Sequence, residues 1–278
     1  MANTLVQDLI DSGIHFGQRS SGWNPKMERF IYGKRNGIHI IDIKETVKGL
    51  LLARKLIQRS VAEGKDVCFV GTKRQAKDVI EQRVADVDMH FVTERWLGGM
   101  LTNFRTIRTR LSRLEELEAI EQDDNFQSYS KKMESQLRRE MKKIRRNLGG
   151  VRNMNKLPGV IVAIDVKRET TALREARKLG IPTVCLIDTD GDPDLADIPI
   201  PGNDDSMRSI DVVIRELCKA CADGKQGRAP AKADDDQSSA DQGAQRRSRR
   251  AQFRADDKGA ENAPAESGAE AAAPAAES

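Results

Sequence analysis

Aromatic side chains make up only 4% of the 278 residues, too few for a surface that relies on stacking bases against rings. Histidine is scarcer still: His15, His39 and His90 are the three present, too scattered for a metal-ligand set. Long hydrophobic runs are missing, which excludes a membrane-spanning helix of about 20 apolar residues. The start Met1-Ala2-Asn3-Thr4 lacks the basic, then greasy, then small-residue order of an export signal, so a cytoplasmic chain is expected. Four cysteines, Cys68, Cys185, Cys218 and Cys221, are too few and too spread for a disulfide framework. Cys68 and Cys185 sit in apolar strand-like runs and are expected in the core. Cys218 and Cys221 fall well inside a helical pattern, whereas a redox Cys-x-x-Cys opens a helix after a strand. Neither sign of charge prevails, with 47 Lys plus Arg against 43 Asp plus Glu.

The distribution of charge says more than the sum. Residues 224–278 hold 9 basic and 10 acidic side chains, leaving a net +5 on residues 1–223. That tail also has sixteen alanines and Phe253 as its one large apolar side chain, too little burial to offset the entropy of ordering, so disorder is expected there. Its Arg246, Arg247, Arg249 and Arg250 lie near acidic residues and are expected to keep it soluble.

Upstream, Arg29 to Asp42 reads as a hairpin around Asn36-Gly37, a dipeptide that tolerates positive φ at both central turn positions. Asp42-Ile43-Lys44-Glu45 opens as a capping box, and Val47, Leu50, Leu51, Ile57 and Val61 continue at helical spacing to Gly64. Val67 to Val70 with Gln75 to Val84, Val160 to Ile164 with Thr170 to Leu179, and Thr183 to Ile187 repeat one grammar of apolar strand, loop and helix. His90 to Thr93 offers another short strand, and Asp205 to Cys221 a final helix. Strands apolar throughout and alternating with helices imply an α/β fold whose parallel sheet is covered on both faces.

One stretch breaks the alternation. From Asn103 to Leu148 there is neither Pro nor Gly. Phe104, Ile107, Leu111, Leu114, Leu117 and Ile120 precede a polar break near Gln122 to Gln127, and Tyr129, Met133, Leu137, Met141, Ile144 and Leu148 follow it. Two antiparallel helices with a narrow seam, a coiled-coil hairpin of about 30 Å, fit this pattern and are expected to project from the body. The expected organisation is a body from 1–102 and 149–223, an inserted hairpin from 103–148 and a tail from 224–278.

The hairpin carries the chain's densest positive charge. Lys131, Lys132, Arg138, Arg139, Lys142, Lys143, Arg145 and Arg146 face only Glu134 and Glu140, a net +6 in sixteen residues. The other helix begins with Arg105, Arg108, Arg110 and Arg113, preceded by Arg95. Antiparallel packing makes the two sets converge, forming a surface for a polyanion. Arg19, Lys26, Arg29, Lys34 and Arg35 add a second basic set in N-terminal loops suited to phosphate contacts.

Catalytic patterns are weaker. Gly71-Thr72-Lys73-Arg74 follows a strand and opens a helix, where amides and exposed basic side chains can meet a phosphate, but it lacks the Gly-x-x-x-x-Gly-Lys-Ser/Thr spacing of nucleotide hydrolases. Asp188-Thr189-Asp190-Gly191 ends an apolar strand, where Asp nucleophiles and Mg²⁺ ligands occur in doubly wound folds. It fails the EF-hand pattern and continues into Asp192-Pro193, an ordinary acidic turn.

Several blocks resemble a known family. Leu9-Ile10-Asp11-Ser12-Gly13-Ile14-His15-Phe16-Gly17, Trp23-Asn24-Pro25-Lys26-Met27, Phe69-Val70-Gly71-Thr72-Lys73-Arg74 and Arg95-Trp96-Leu97-Gly98-Gly99-Met100-Leu101-Thr102-Asn103 occur in order. Leu157-Pro158, Gly180-Ile181-Pro182 and Ile200-Pro201-Gly202-Asn203-Asp204-Asp205 follow. From about Leu5 to Cys221 the chain resembles the family of protein two of the bacterial small ribosomal subunit. The resemblance implies a three-layer flavodoxin-like body with a helical-hairpin insertion, no catalysis and no cofactor. It implies a place on the back of the small subunit between head and body, joined late in assembly, with small-subunit ribosomal RNA as the main partner. It also implies contacts with other small-subunit proteins, among them the large mRNA-binding protein one, and neither a membrane nor a homo-oligomer. Relatives commonly carry a second histidine after His-Phe-Gly; Gln18 stands here, which removes a ligand from any metal pocket at that loop.

Overall fold

The computed structural model describes residues 2–122 and 130–227. The loop expected at 122–127 lies, from 123 onward, outside the described residues, as does the tail from 228.

An amphipathic helix α1 (Ala2–Asp11) leads into strand β1 (Phe16–Arg19) and a 3-10 turn at Pro25–Phe30. The expected hairpin follows as β2 (Ile31–Arg35) and β3 (Ile38–Ile41), with Asn36 at φ 51° and Gly37 at φ 79° in the turn. β1 also pairs with β3, giving a small antiparallel sheet in the order β1-β3-β2. Helix α2 (Ile43–Ala62) is capped by Asp42, whose side chain accepts from the Lys44 amide. The capping box is not closed: the Asp42 amide donates to the Phe30 carbonyl at 2.9 Å, and Glu45 pairs with Lys48 instead.

The second sheet is parallel. Its strands are β4 (Val67–Val70), β5 (His90–Val92), β6 (Val160–Ile164), β7 (Thr183–Ile187) and β8 (Ile198–Pro201). They lie in the order β5-β4-β6-β7-β8, which reverses direction between β4 and β6, the switch point of a flavodoxin-like fold. β4, β6 and β7 are buried at every position, as strands covered on both faces must be. β8 escapes the periodicity reading because Pro199 and Pro201 interrupt it; an edge strand tolerates their missing N–H groups.

Helices α3 (Arg74–Asp86) and α7 (Met207–Gln226) join α1 and α2 on one face. Leu50, Ile57, Ile80, Ile214 and Leu217 bury there against Phe69, Val162 and Leu186. The other face is covered by α6 (Thr170–Leu179), by the Pro25–Phe30 turn through Met27 and Phe30, and by the base of the helical insertion. All four cysteines are buried and free, and burial pushes the Cys68 thiol up to about 12. α7 runs past the boundary expected at Asp223, with Gly224 buried against α2 at Val61.

The insertion consists of α4 (Phe104–Gln122) and α5 (Lys131–Leu148). Ile107 and Leu111 cluster with Leu148, whereas Leu114 and Leu117 cluster with Met141, so the helices run antiparallel. Glu118 of α4 accepts from Arg145 of α5 at 2.7 Å and pairs with Arg152 at the base at 2.9 Å.

Gly49 shows how tightly α2 lies on the sheet: a Cβ there stands 2.5 Å from the Pro199 carbonyl oxygen. Alanine gains about 0.5–1 kcal/mol in a helix interior, but forcing a methyl onto a backbone oxygen costs about 1–3 kcal/mol. Gly49→Ala is therefore expected to lower the urea midpoint at an unchanged slope. A raised midpoint would show that α2 and β8 part at little cost.

Candidate nucleic-acid interface

The carboxyl ends of β4, β6, β7 and β8 meet at the switch point, where folds of this kind bind small ligands. Here the chain's own side chains fill it. Lys73, expected as an exposed phosphate contact, is 6% exposed; its ammonium lies 2.7 Å from Asp204, 2.6 Å from Asp205 and 3.9 Å from Asp165. The physical reason is its place after β4 and just ahead of α3, which turns the stem into the crevice between strands rather than to solvent. Burial alone would lower the Lys73 ammonium, but the bonds to Asp204 and Asp205 outweigh it and hold it raised.

Asp188 is 2% exposed. It accepts from the Thr189 amide at 2.5 Å, and its second oxygen from the Gln18 amide nitrogen at 3.3 Å. Gln18 also donates to Asp205 at 2.6 Å. Burial pushes Asp188 up to about 6, and Asp204 up to about 7 against the pull of Lys73. The carboxylates that converge with Asp188 are not the one read from the sequence: Asp190 pairs with Lys167 at 2.7 Å and lies outside the group. Asp188, Asp204 and Asp205 do converge, each offering an oxygen within 4.8 Å of the others, but Lys73 and Gln18 already engage them.

Two more buried carboxylates serve the backbone. Glu169 accepts from the Thr72 amide at 2.8 Å and its hydroxyl at 2.6 Å, taking the amide that the phosphate reading assigned to a ligand. Glu175 accepts from Trp96, Gly99, Leu101 and Thr102 in the loop before α4. Neither acid was singled out in the sequence, because one acid in a helical pattern looks like any other; Gly99, at φ +91°, is the residue of that loop whose type reflects its special conformation.

The remaining basic residues lie elsewhere. On the insertion and the segment before it, Arg95, Arg105, Arg110, Lys131, Lys132, Arg138, Arg139, Lys142, Lys143, Arg145 and Arg146 are exposed, while Arg108 and Arg113 are half-buried. Arg113, Arg138 and Arg145 pair with Glu116, Glu134 and Glu118, and Arg108 donates to the Met154 carbonyl at 3.1 Å. Ile107 and Leu111 cluster with Leu148, so the end of α5 that carries Arg145 and Arg146 and the first half of α4 lie at one end of the helix pair. In the N-terminal region Arg19, Lys34 and Arg35 are exposed on β1 and β2, and Arg29 lies 4.6 Å from the Phe30 ring centre. Lys26 is tied to Asp192 and Asp194 at 3.0 and 2.6 Å. Arg74 is exposed at the start of α3.

A doubly wound body whose ligand crevice is occupied from within, bearing an inserted pair of basic helices, defines a binding scaffold of the α/β class. The chain belongs to the ribosomal protein S2 family, whose model matches residues 9–224, a family of structural rather than catalytic proteins. The small ribosomal subunit protein uS2 of Rhodopirellula baltica is 55% identical over 81% of this chain and 86% of its own length. The proteins of that name from Mycolicibacterium vanbaalenii and Synechocystis are 48% and 47% identical over 84% and 80% of this chain, and over 86% and 82% of their own lengths.

The raised Asp188 carboxyl carries a pH signature. A group whose folded value, about 6, exceeds its ordinary 3.8 costs stability progressively as pH rises from about 4 to above 6. Asp188→Asn is expected to gain stability relative to the parent across that interval, by on the order of 3 kcal/mol. Urea unfolding of both proteins at pH 4 and pH 7 reads the difference; a gap that stays constant would mean that the carboxyl titrates normally.

Proposed function

We propose that this protein is a structural constituent of the small ribosomal subunit, binding its RNA through the base of the α4–α5 pair and the N-terminal loops, with no chemical step. The observation that carries this reading is the contrast between two populations of charge. The buried Lys73 and the aspartates at the switch point engage one another, whereas Arg105, Arg110, Arg139, Lys142, Lys143 and Arg146 stand exposed on the two helices. Exposed cations of that density suit phosphates, which fix a protein on RNA while the folded shape of the RNA supplies selectivity. The relatives' printed name supports the ribosomal setting.

The layout supports the finer parts of the reading that concern residues, and the family resemblance those that concern partners. Residues 1–102 and 149–223, with the end of α7 as far as Gln226, form the body, and 103–148 the arm as an antiparallel coiled coil. Arg19, Arg29, Lys34 and Arg35 give the body its own phosphate contacts, and the exposed Arg74 and Arg95 add to them. Lys26 takes part only by exchanging Asp192 and Asp194 for phosphate. The protein works as one copy in the cytoplasmic ribosome, beside other small-subunit proteins, and supports the docking of the large mRNA-binding protein one.

Replacing Arg138, Arg139, Lys142 and Lys143 by Glu leaves the apolar seam untouched and is expected to preserve the fold while excluding the protein from small subunits in gradient sedimentation. Normal incorporation of the folded variant would remove the arm from the interface. With about six phosphate contacts, affinity for the RNA should fall by about three orders of magnitude between 50 and 200 mM salt. A flat salt response would contradict phosphate-driven binding.

A further inference from the structure

Glu175 lies on α6, on the face of the sheet that carries the insertion, and is 7% exposed. Among the described residues, the hydrogen bonds to its carboxylate all come from one loop. One oxygen accepts from the Trp96 indole at 3.2 Å and the Gly99 amide at 2.7 Å. The other accepts from the Leu101 amide at 3.0 Å and from the amide and hydroxyl of Thr102, both at 3.2 Å. Five donors from a seven-residue span thus close around one anion, in the manner of a backbone nest around a bound phosphate. Gly99 makes the wrap possible with φ +91°. Burial alone would raise the Glu175 carboxyl, but the amides of Gly99, Leu101 and Thr102 outweigh it and hold it below its ordinary range.

This loop runs directly into α4: the Asn103 amide donates to the Gly99 carbonyl at 2.8 Å and the Ile107 amide to the Asn103 carbonyl at 3.3 Å. The first turn of α4 therefore continues the loop that Glu175 fixes. Beneath it Trp96, Met100 and Leu101 bury with Ile107, Leu111, Leu148 and Val151, joining both helices to the body. A hydrophobic cluster is non-directional and permits small rotations of one element on another, whereas five aimed hydrogen bonds to a fixed charge do not.

We propose that Glu175 is the positioning residue of the arm: its carboxylate holds loop 96–102 in one conformation, so that α4 and α5 leave the body at one angle and present their cations in register with an external polyanion. The consequence for RNA rests on the function proposed above; the positioning itself does not. Glutamine at this site keeps the volume but replaces one acceptor oxygen by an NH₂ group, which meets N–H donors on whichever side it faces. The loop then loses part of its anchor while the parallel sheet keeps its packing.

The test uses the full chain with paired spin labels, Ala62→Cys on α2 with Ser112→Cys on α4. Ala85→Cys on α3, paired with Ala62→Cys, is the control within the body, and all three positions are solvent-exposed. The parent should give a narrow distance distribution for both pairs. Glu175→Gln should broaden or displace only the body-to-arm distance. It should also speed hydrogen exchange at the amides of Gly99, Leu101 and Thr102 while those of β6 and β7 keep their protection. If the competent arm position falls to a tenth of the population, affinity for small-subunit RNA drops about tenfold. An unchanged body-to-arm distance overturns the proposal, as does equal loss of protection throughout the body. Should Glu175→Gln fail to fold, Trp96→Phe with Thr102→Val removes two side-chain donors and leaves the carboxylate; it should broaden the same distance, and a distribution as narrow as the parent's again overturns the proposal. The Glu substitutions at Arg138, Arg139, Lys142 and Lys143 should weaken RNA binding with the distance unchanged. If they do not, the RNA reading fails while the distance measurement still decides the role of Glu175.

Discussion

A charged side chain taken out of water costs several kcal/mol unless other groups replace its hydration, and this constraint organises the carboxyl end of the parallel sheet. Lys73, Asp204, Asp188, Glu169 and Glu175 are all less than 9% exposed, and each is met from within the chain. Lys73 meets two aspartates, Glu169 meets a threonine at both its amide and its hydroxyl, and Glu175 meets a whole loop. The raised values of Asp188 and Asp204 mark where the compensation is incomplete. These groups do more than lock the sheet: they take up the amides and the space at the switch point that a nucleotide or phosphate would need in another protein of this architecture.

The same constraint separates two kinds of cation. Pairing in the crevice is enforced by burial, since an unpartnered Lys73 would be left in a poorly hydrated gap. On the helical pair nothing enforces it. The ion pairs Arg113–Glu116 and Arg138–Glu134 sit at the surface, where such pairs contribute little and salt screens them. An incoming phosphate competes with a weak acceptor at those positions and with none but water at an exposed, uncommitted cation. Surface charge on the arm is therefore available for exchange, and charge in the crevice is not.

How far the sequence revealed this arrangement depended on periodicity. β4, β6 and β7 are continuous apolar runs and α2 has a strong helical spacing, so the body could be read from the chain. The Asn36-Gly37 turn and the antiparallel seam between Ile107 and Leu148 were legible for the same reason. α1 is ten residues at the very start, too short to stand out. β1 has no alternation to mark it, and its pairing with β3 is set by tertiary placement. The exposed positive charge of the arm was legible as composition, because six excess charges in sixteen residues need no coordinates to be noticed. What could not be read was direction. Lys73 and Arg74 are adjacent in sequence, yet one is buried and the other exposed, because a side chain just ahead of a helix can point along the strands or away from them. Glu175 was hidden by the same limit, its partners lying more than seventy residues earlier in the chain.

These features make a consistent division of labour between rigid and exchangeable electrostatics. A polyanion with its own fixed fold rewards cations that arrive already spaced, since any ordering left until contact is subtracted from the binding energy. Long side chains such as Lys142 and Arg146 are mobile at their tips, so spacing has to be fixed one level down, at the helices that carry them. The helix pair has a narrow seam, with Met133 46% exposed toward its far end, and little core of its own to resist tilting. Its orientation must then come from where it is rooted, and the groups that root it there with direction as well as area are the buried carboxylate of Glu175 and the amides of the loop that wraps it.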